Sequence, residues 1–234
     1  MAGKWGVIVI DLQGDFTEWK QGSLAVPGSD EDYVRSVEEA TRLLKELHLP
    51  VFGTQDWHPP DHVSFATSHP GKRPFETTLV NGTVQELWPP HCIQGTENAR
   101  IVIDNNLFLA VVKKAQDRMT ESYSGFQHGH ELHNILRINE IEKVIVYGLA
   151  ADFCVKATSL NLAAANYPTV VVEDLCRSVS PHTAAAAVDE MRRKGVRVIS
   201  AIEEMIEEIR DTVDKTGIER ERSPRHCPCP GKDC

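Results

Sequence analysis

Cys154 follows the run Val144-Ile145-Val146-Tyr147-Gly148-Leu149-Ala150-Ala151-Asp152-Phe153 and precedes an alanine-rich stretch reaching about Asn166. The β-branched apolar run reads as a buried strand, the Gly/Ala segment as the turn after it, and Asp152 as the cap that opens a helix. The thiol is therefore expected in the first turn of a helix. Unpaired N–H groups and the helix dipole there favour the thiolate, which is the nucleophilic form. Taken alone, a buried cysteine in a helix is more often a small hydrophobe. Polar residues in matching places decide between the two readings.

Three more apolar runs end in charged groups. Trp5 to Ile10 delivers Asp11, Leu49 to Gln55 delivers Asp56-Trp57-His58, and Phe108 to Val112 delivers Lys113-Lys114. Near-continuous hydrophobic strands of this kind belong to parallel sheets buried on both faces, whose ligands bind beyond the carboxyl ends of the strands. Four such ends imply one shared cleft. A carboxylate within reach of a thiol can accept its proton, and a nearby ammonium holds the resulting thiolate. Asp56 and His58, two apart at a strand end, can project the same way, and mixed O/N ligation suits zinc, iron or manganese.

The intervening segments supply the scaffold. Glu31 to His48 carries Val34, Val37, Ala40, Leu44 and Leu47 at helical spacing, and Pro181 to Lys194 forms a second helix between strands Thr169–Val172 and Val196–Ile199. Strand and helix alternate, which predicts an α/β fold: a three-layer α/β/α sandwich around a mostly parallel sheet of about six strands, in a single domain over 1–213. Pro59 to Asn106 breaks the alternation. It is rich in Pro, Gly, His and Thr, and an irregular stretch that long inside a compact domain is usually functional.

Composition excludes several classes. The 234 residues suit one α/β domain with a tail, and a formal net charge of −9 argues against nucleic acid or anionic membrane as a partner. No run has the length of a membrane span, and no signal peptide is evident. The six cysteines, at 92, 154, 176, 227, 229 and 234, are scattered rather than set out as a secreted framework, so a cytoplasmic location is the default. Oligomeric state stays open, a homo-oligomer included. The tail 214–234 has too few apolar residues to offset ordering and reads as disordered. Its Cys227-Pro228-Cys229 spacing is not that of a standard zinc knuckle.

Taken together, Asp11-Leu12-Gln13-Gly14-Asp15-Phe16, Asp56-Trp57-His58 with Pro59 to Phe65, Trp88-Pro89-Pro90-His91-Cys92, Lys114 with Tyr123-Ser124-Gly125-Phe126, and Gly148 to Cys154 resemble the nicotinamidases of the isochorismatase-like cysteine hydrolase superfamily. The resemblance runs in order from about Gly6 to Ser200. It implies hydrolysis of nicotinamide to nicotinate and ammonia through a Cys154 thioester, in NAD salvage, with Asp11 as base and Lys114 stabilising charge. It also implies an oxyanion hole of the Ala150 and Cys154 N–H groups after a cis Leu149-Ala150 bond. One divalent metal, zinc first and iron or manganese after it, would sit on Asp56, His58 and His91 and bind the pyridine nitrogen. Phe16, Trp88 and Tyr123 would line the ring site, where flat rings suit offset stacking.

Within that resemblance two ambiguities remain. Lys113 and Lys114 face opposite sides of their strand, and the family places a small residue directly after the catalytic lysine. Ala115 marks Lys114, although glycine is the commoner residue there. His62, His69, His128, His130 and His133 read as exposed, with His62 the least secure because some relatives recruit a nearby histidine. Two other function classes stand beside the first: a related hydrolase of carbamoyl or ureido amides, and a non-catalytic metal-binding or redox protein with a Cys92–Cys154 disulfide.

Overall fold

In the computed structural model, which describes residues 3–126 and 131–211, the chain runs β1 (Trp5–Ile10), α1 (Glu31–Glu46), β2 (Val51–Asp56), β3 (Thr77–Val80), β4 (Thr83–Glu86), β5 (Ala110–Lys114), α2 (Glu131–Ile138), β6 (Lys143–Leu149), α3 (Lys156–Ala164), β7 (Thr169–Arg177), α4 (Pro181–Arg193) and β8 (Arg197–Ile199). Residues 202–211 form a further helix. The Cys- and Pro-rich tail, read as disordered, lies outside the described residues.

Six strands form one sheet in the order β5-β2-β1-β6-β7-β8, and every neighbouring pair is parallel. Strands buried on both faces need continuous apolar sequence, and β2 is buried along its whole length while β6 is buried at all but its first residue. Helices flank the sheet, giving the three-layer α/β/α arrangement expected. The chain fills one half of the sheet with β1, β2 and β5, then crosses to β6, β7 and β8. The order thus reverses between β1 and β6, and a crevice opens beyond the carboxyl ends at such a point.

Local chemistry sets the helix ends. Asp30 caps α1 by accepting from the Tyr33 N–H at 2.9 Å, and Val34, Val37, Ala40 and Leu44 make its buried face. Ser180 caps α4, with Pro181 in the first turn, where its missing N–H costs nothing. Gly148 is required where β6 meets β1. Its φ is +127°, and a Cβ there would lie 2.2 Å from the Ile10 carbonyl oxygen.

Three expectations change. Asp152 does not cap the helix after β6: Ala150 precedes the first turn with no side-chain bond, and a π-helical turn over Ala151–Val155 leads into α3. The Asp152 carboxylate instead accepts from the Val179 and Ser180 N–H groups at 3.0 and 3.2 Å and from the Thr183 hydroxyl, tying the start of α4 to this turn. The stretch from Pro59 to Asn106 is not wholly irregular, because β3 and β4 pair as an antiparallel hairpin within it. Helix α2 was not singled out in the sequence, since Leu132, Ile135 and Leu136 mark its inner face over barely two turns.

Candidate active site

The carboxyl ends of β1, β2, β5 and β6 bring Asp11, Asp56, Lys114 and Cys154 together, all of them buried. Lys114 is the hub. Its ammonium lies 3.0 Å from Oδ2 of Asp11, 3.5 Å from Sγ of Cys154 and 3.2 Å from the Ser122 carbonyl, and it hydrogen-bonds Oδ1 of Asp56. Lys113, one residue earlier, is exposed, with its ammonium 3.9 Å over the Trp57 ring. Ala115 has a φ of +52°, a left-handed conformation that glycine adopts more easily than alanine.

Asp11 also adopts a positive φ, +44°. Thr54 holds it there from the neighbouring strand, accepting the Asp11 N–H at 3.2 Å and donating its hydroxyl to Oδ1 at 2.6 Å. Oδ2 carries no hydrogen bond among the described residues, although Lys114 pairs with it by charge, so it retains capacity to accept a proton. Burial pushes the Asp11 carboxyl above its ordinary value against the pull of Lys114, which makes it a better base than a solvated aspartate.

The thiol departs from the expected sign. Burial pushes Cys154 well above the usual thiol value, with Asp11 and Asp56 adding to the rise and Lys114 opposing it. A helix start worth a few tenths of a charge does not outweigh a fully desolvated thiolate facing two carboxylates. A thiol pushed up in this way calls for a neighbouring base to generate the nucleophile. Burial alone would lower the Lys114 ammonium, but Asp11, Asp56 and Cys154 raise it well above its ordinary value and keep it charged.

Beside this group stand Asp56, His58 and His91, each offering one ligand atom within 4.8 Å of the others. Nε2 of His58 is 3.5 Å and Nε2 of His91 4.0 Å from Oδ2 of Asp56. Pro89 accepts from Nδ1 of His91 at 2.8 Å, which turns Nε2 toward the centre. Both ring nitrogens of His58 are buried without a hydrogen-bond partner among the described residues, and a cation beside Asp56 would satisfy Nε2, which already faces that carboxylate. Burial, with His58 beside it, lowers His91 to about 4, so the ring is neutral and able to ligate at neutral pH. Asp56 would be raised by burial, but Lys114 and the two histidines carry it far below the carboxylate range. The donor set therefore fits a divalent metal. Asp11, Asp56 and Cys154 are equally close together, but Lys114 already supplies the positive charge among them.

His62 is not exposed. It is fully buried, packs tilted against the His58 ring with centroids 4.4 Å apart, and bonds Ser64 Oγ at 2.7 Å and the Thr120 carbonyl at 3.1 Å. Both its nitrogens are thereby engaged. His69 is half-buried with Nε2 at 2.7 Å from the Val63 carbonyl, and His133 is half-buried between Phe126 and Tyr167. His128 and His130 lie outside the described residues.

A pocket opens over Cys154, walled by Phe16, Trp88, Tyr123 and Phe153, with Asp56, His91 and Glu121 on its polar side. Trp88 donates to the Tyr123 hydroxyl at 3.0 Å, and its ring meets Phe153 edge-on at 5.0 Å. Phe153 and Thr54 were missed in the sequence. Phe153 is signalled only by standing next to Cys154, and Thr54 looks like an ordinary strand residue. Ala150 lines the pocket floor, and the Leu149-Ala150 peptide is cis. Cys92 and Cys154 are both free, so the disulfide of a redox protein is not formed. No helix among the described residues is long and apolar enough to cross a membrane.

An isochorismatase domain model matches residues 6–203. A nicotinamidase of Escherichia coli is 36% identical over 201 residues, covering 81% of this chain and 91% of its own. Among solved structures, an Acinetobacter baumanii nicotinamidase superposes with a TM-score of 0.77 at 33% identity, covering 86% of this chain and 97% of its own. A pyrazinamidase of Pyrococcus horikoshii in complex with zinc gives 0.73 at 30% identity, covering 84% and 99%.

Proposed function

The chain belongs to the isochorismatase domain family, and we propose that it is a nicotinamidase, hydrolysing nicotinamide to nicotinate and ammonia in NAD salvage. The observation that carries this reading is Lys114, whose ammonium touches Asp11 and Cys154 at once while bonded to the carboxylate that completes the metal trio.

Asp11 takes the proton of Cys154 as sulfur attacks the amide carbon, and Lys114 holds the negative charge that this transfer would otherwise leave unbalanced. Charge developing on the carbonyl oxygen meets the N–H groups of Ala150 and Cys154. Asp11 then passes its proton to the departing nitrogen, ammonia leaves, and a thioester remains on Cys154. Water activated by the same carboxylate hydrolyses it. The rings of Phe16, Trp88, Tyr123 and Phe153 favour a flat heteroaromatic substrate and exclude water from the thiol. Asp56, His58 and His91 would hold a divalent ion, zinc first among candidates, which would supply a Lewis-acid anchor for the pyridine nitrogen and so help align the carboxamide over Cys154.

Ammonia release from nicotinamide by the purified chain, with and without a chelator, tests the reading. Turnover that falls on chelation and returns with zinc supports it. Absence of turnover from the zinc-loaded chain overturns it.

A further inference from the structure

His91 sits in a backbone loop rather than on a strand, so something other than the sheet must fix it. Two residues on a different segment do so from both sides. The Asp15 carboxylate accepts the Cys92 N–H at 2.7 Å on Oδ2 and the Ser23 N–H at 3.3 Å on Oδ1, and the Ser23 hydroxyl shares its one proton between the Pro90 carbonyl at 2.8 Å and Oδ1 at 3.1 Å. The peptide groups before and after His91 are thus both clamped. The clamp holds Cys92 at a φ of +47°, a conformation that a non-glycine residue adopts only under restraint. Asp15 lies in the turn that carries Phe16, whose ring packs on His91 with centroids 5.3 Å apart. Asp15 itself is buried, touches none of Asp11, Lys114 or Cys154 by any hydrogen bond or ion pair, and has no part in the proposed proton transfers.

We propose that Asp15, acting with Ser23, is the positioning residue that sets His91 for metal and substrate, so that metal affinity depends on a carboxylate that never touches the metal. The inference rests on the reading of His91 as a ligand. Its physical basis is the general one: outer partners fix ligand orientation, and their loss typically lowers metal affinity by about 10–100-fold. Asp15→Asn can accept through one oxygen alone, so either the Cys92 N–H or the Ser23 N–H and hydroxyl lose their acceptor. Ser23→Ala leaves the Pro90 carbonyl and Oδ1 of Asp15 without the hydroxyl, while Ser23→Thr keeps it.

The test is zinc affinity of the metal-free protein, measured by competition with a chromophoric chelator, alongside KM and kcat for nicotinamide. Asp15→Asn and Ser23→Ala are expected to weaken zinc about 10–100-fold and to raise KM more than they lower kcat, with Ser23→Thr restoring both. A residue holding the fold alone would lower the melting temperature and leave zinc affinity of the folded protein intact, and that result overturns the proposal. If Asp15→Asn does not fold, wild-type zinc affinity in Ser23→Ala overturns it equally. His91→Ala serves as the reference. Undiminished affinity there overturns the trio itself and this proposal with it, whereas loss there and none at Asp15 or Ser23 overturns the clamp alone.

Discussion

Lys114 donates to Oδ1 of Asp56, and this ion pair joins the thiol group to the metal trio, since Oδ2 of the same carboxylate faces His58 at 3.5 Å. The two halves of the site therefore cannot be perturbed independently through Asp56. Replacing it by asparagine removes the carboxylate of the proposed metal trio and leaves the buried ammonium with the Asp11 carboxylate and the Ser122 carbonyl. Asp56→Asn should lose zinc binding and lower kcat/KM by more than about 100-fold, beyond the range of an outer partner. Retained zinc binding with only a fall in kcat would show that Asp56 serves Lys114 and not a metal.

Cys154→Ala should reduce turnover by on the order of 10⁴-fold or more while leaving the fold and zinc affinity unchanged, because the thiol is used in chemistry and contributes little to packing. Asp11→Asn should be nearly as severe, as an amide cannot take the proton. Turnover near wild type in the alanine variant, measured as ammonia release, rules out Cys154 as nucleophile.

Thr54→Val keeps shape in β2 but removes the hydroxyl that Asp11 uses twice. A hydrogen bond to a charged group contributes about 1.5–3 kcal/mol, so kcat should fall by roughly 10–100-fold with KM little altered. A rise in KM without change in kcat would assign Thr54 to substrate binding instead.

Much of this arrangement was legible because a parallel sheet imposes it. Apolar runs ending in Asp11, Asp56 and Lys114 could face only one crevice; the strand period required Lys113 and Lys114 to face opposite ways, and the family resemblance, through Ala115, chose Lys114. The parts that escaped depend on partners distant in sequence. Thr54 becomes visible only when β2 lies beside β1, and His62 only when the loop folds over His58. Asp152 looked like a cap because its neighbours suit one, yet the start of α4, 27 residues on, claims its carboxylate. The sign of the Cys154 shift was misread for a related reason. Helix position can be read locally, whereas desolvation and the carboxylates of Asp11 and Asp56 are tertiary facts.

His58→Ala and His91→Ala should each lower bound zinc and raise KM for nicotinamide, because the ring nitrogen loses its anchor. Elemental analysis after loading checks the first effect and steady-state kinetics the second. Wild-type protein that holds neither zinc nor iron after loading would point to a metal-free relative.

The last prediction separates two neighbours of identical chemistry. Lys114→Ala removes the cation 3.5 Å from Cys154, and because that cation opposes the rise caused by burial, its loss should push the thiol still higher. Alkylation of Cys154 by iodoacetamide near neutral pH should slow, and turnover should fall steeply. Lys113→Ala removes only an exposed ammonium resting on Trp57, a change expected to stay within about 0.5 kcal/mol in stability and to leave both rates near wild type. Nonspecific effects of losing one positive charge are shared by the two variants and cancel in the comparison. Equal loss in both, or greater loss at Lys113, contradicts the inward placement of Lys114 at the end of β5.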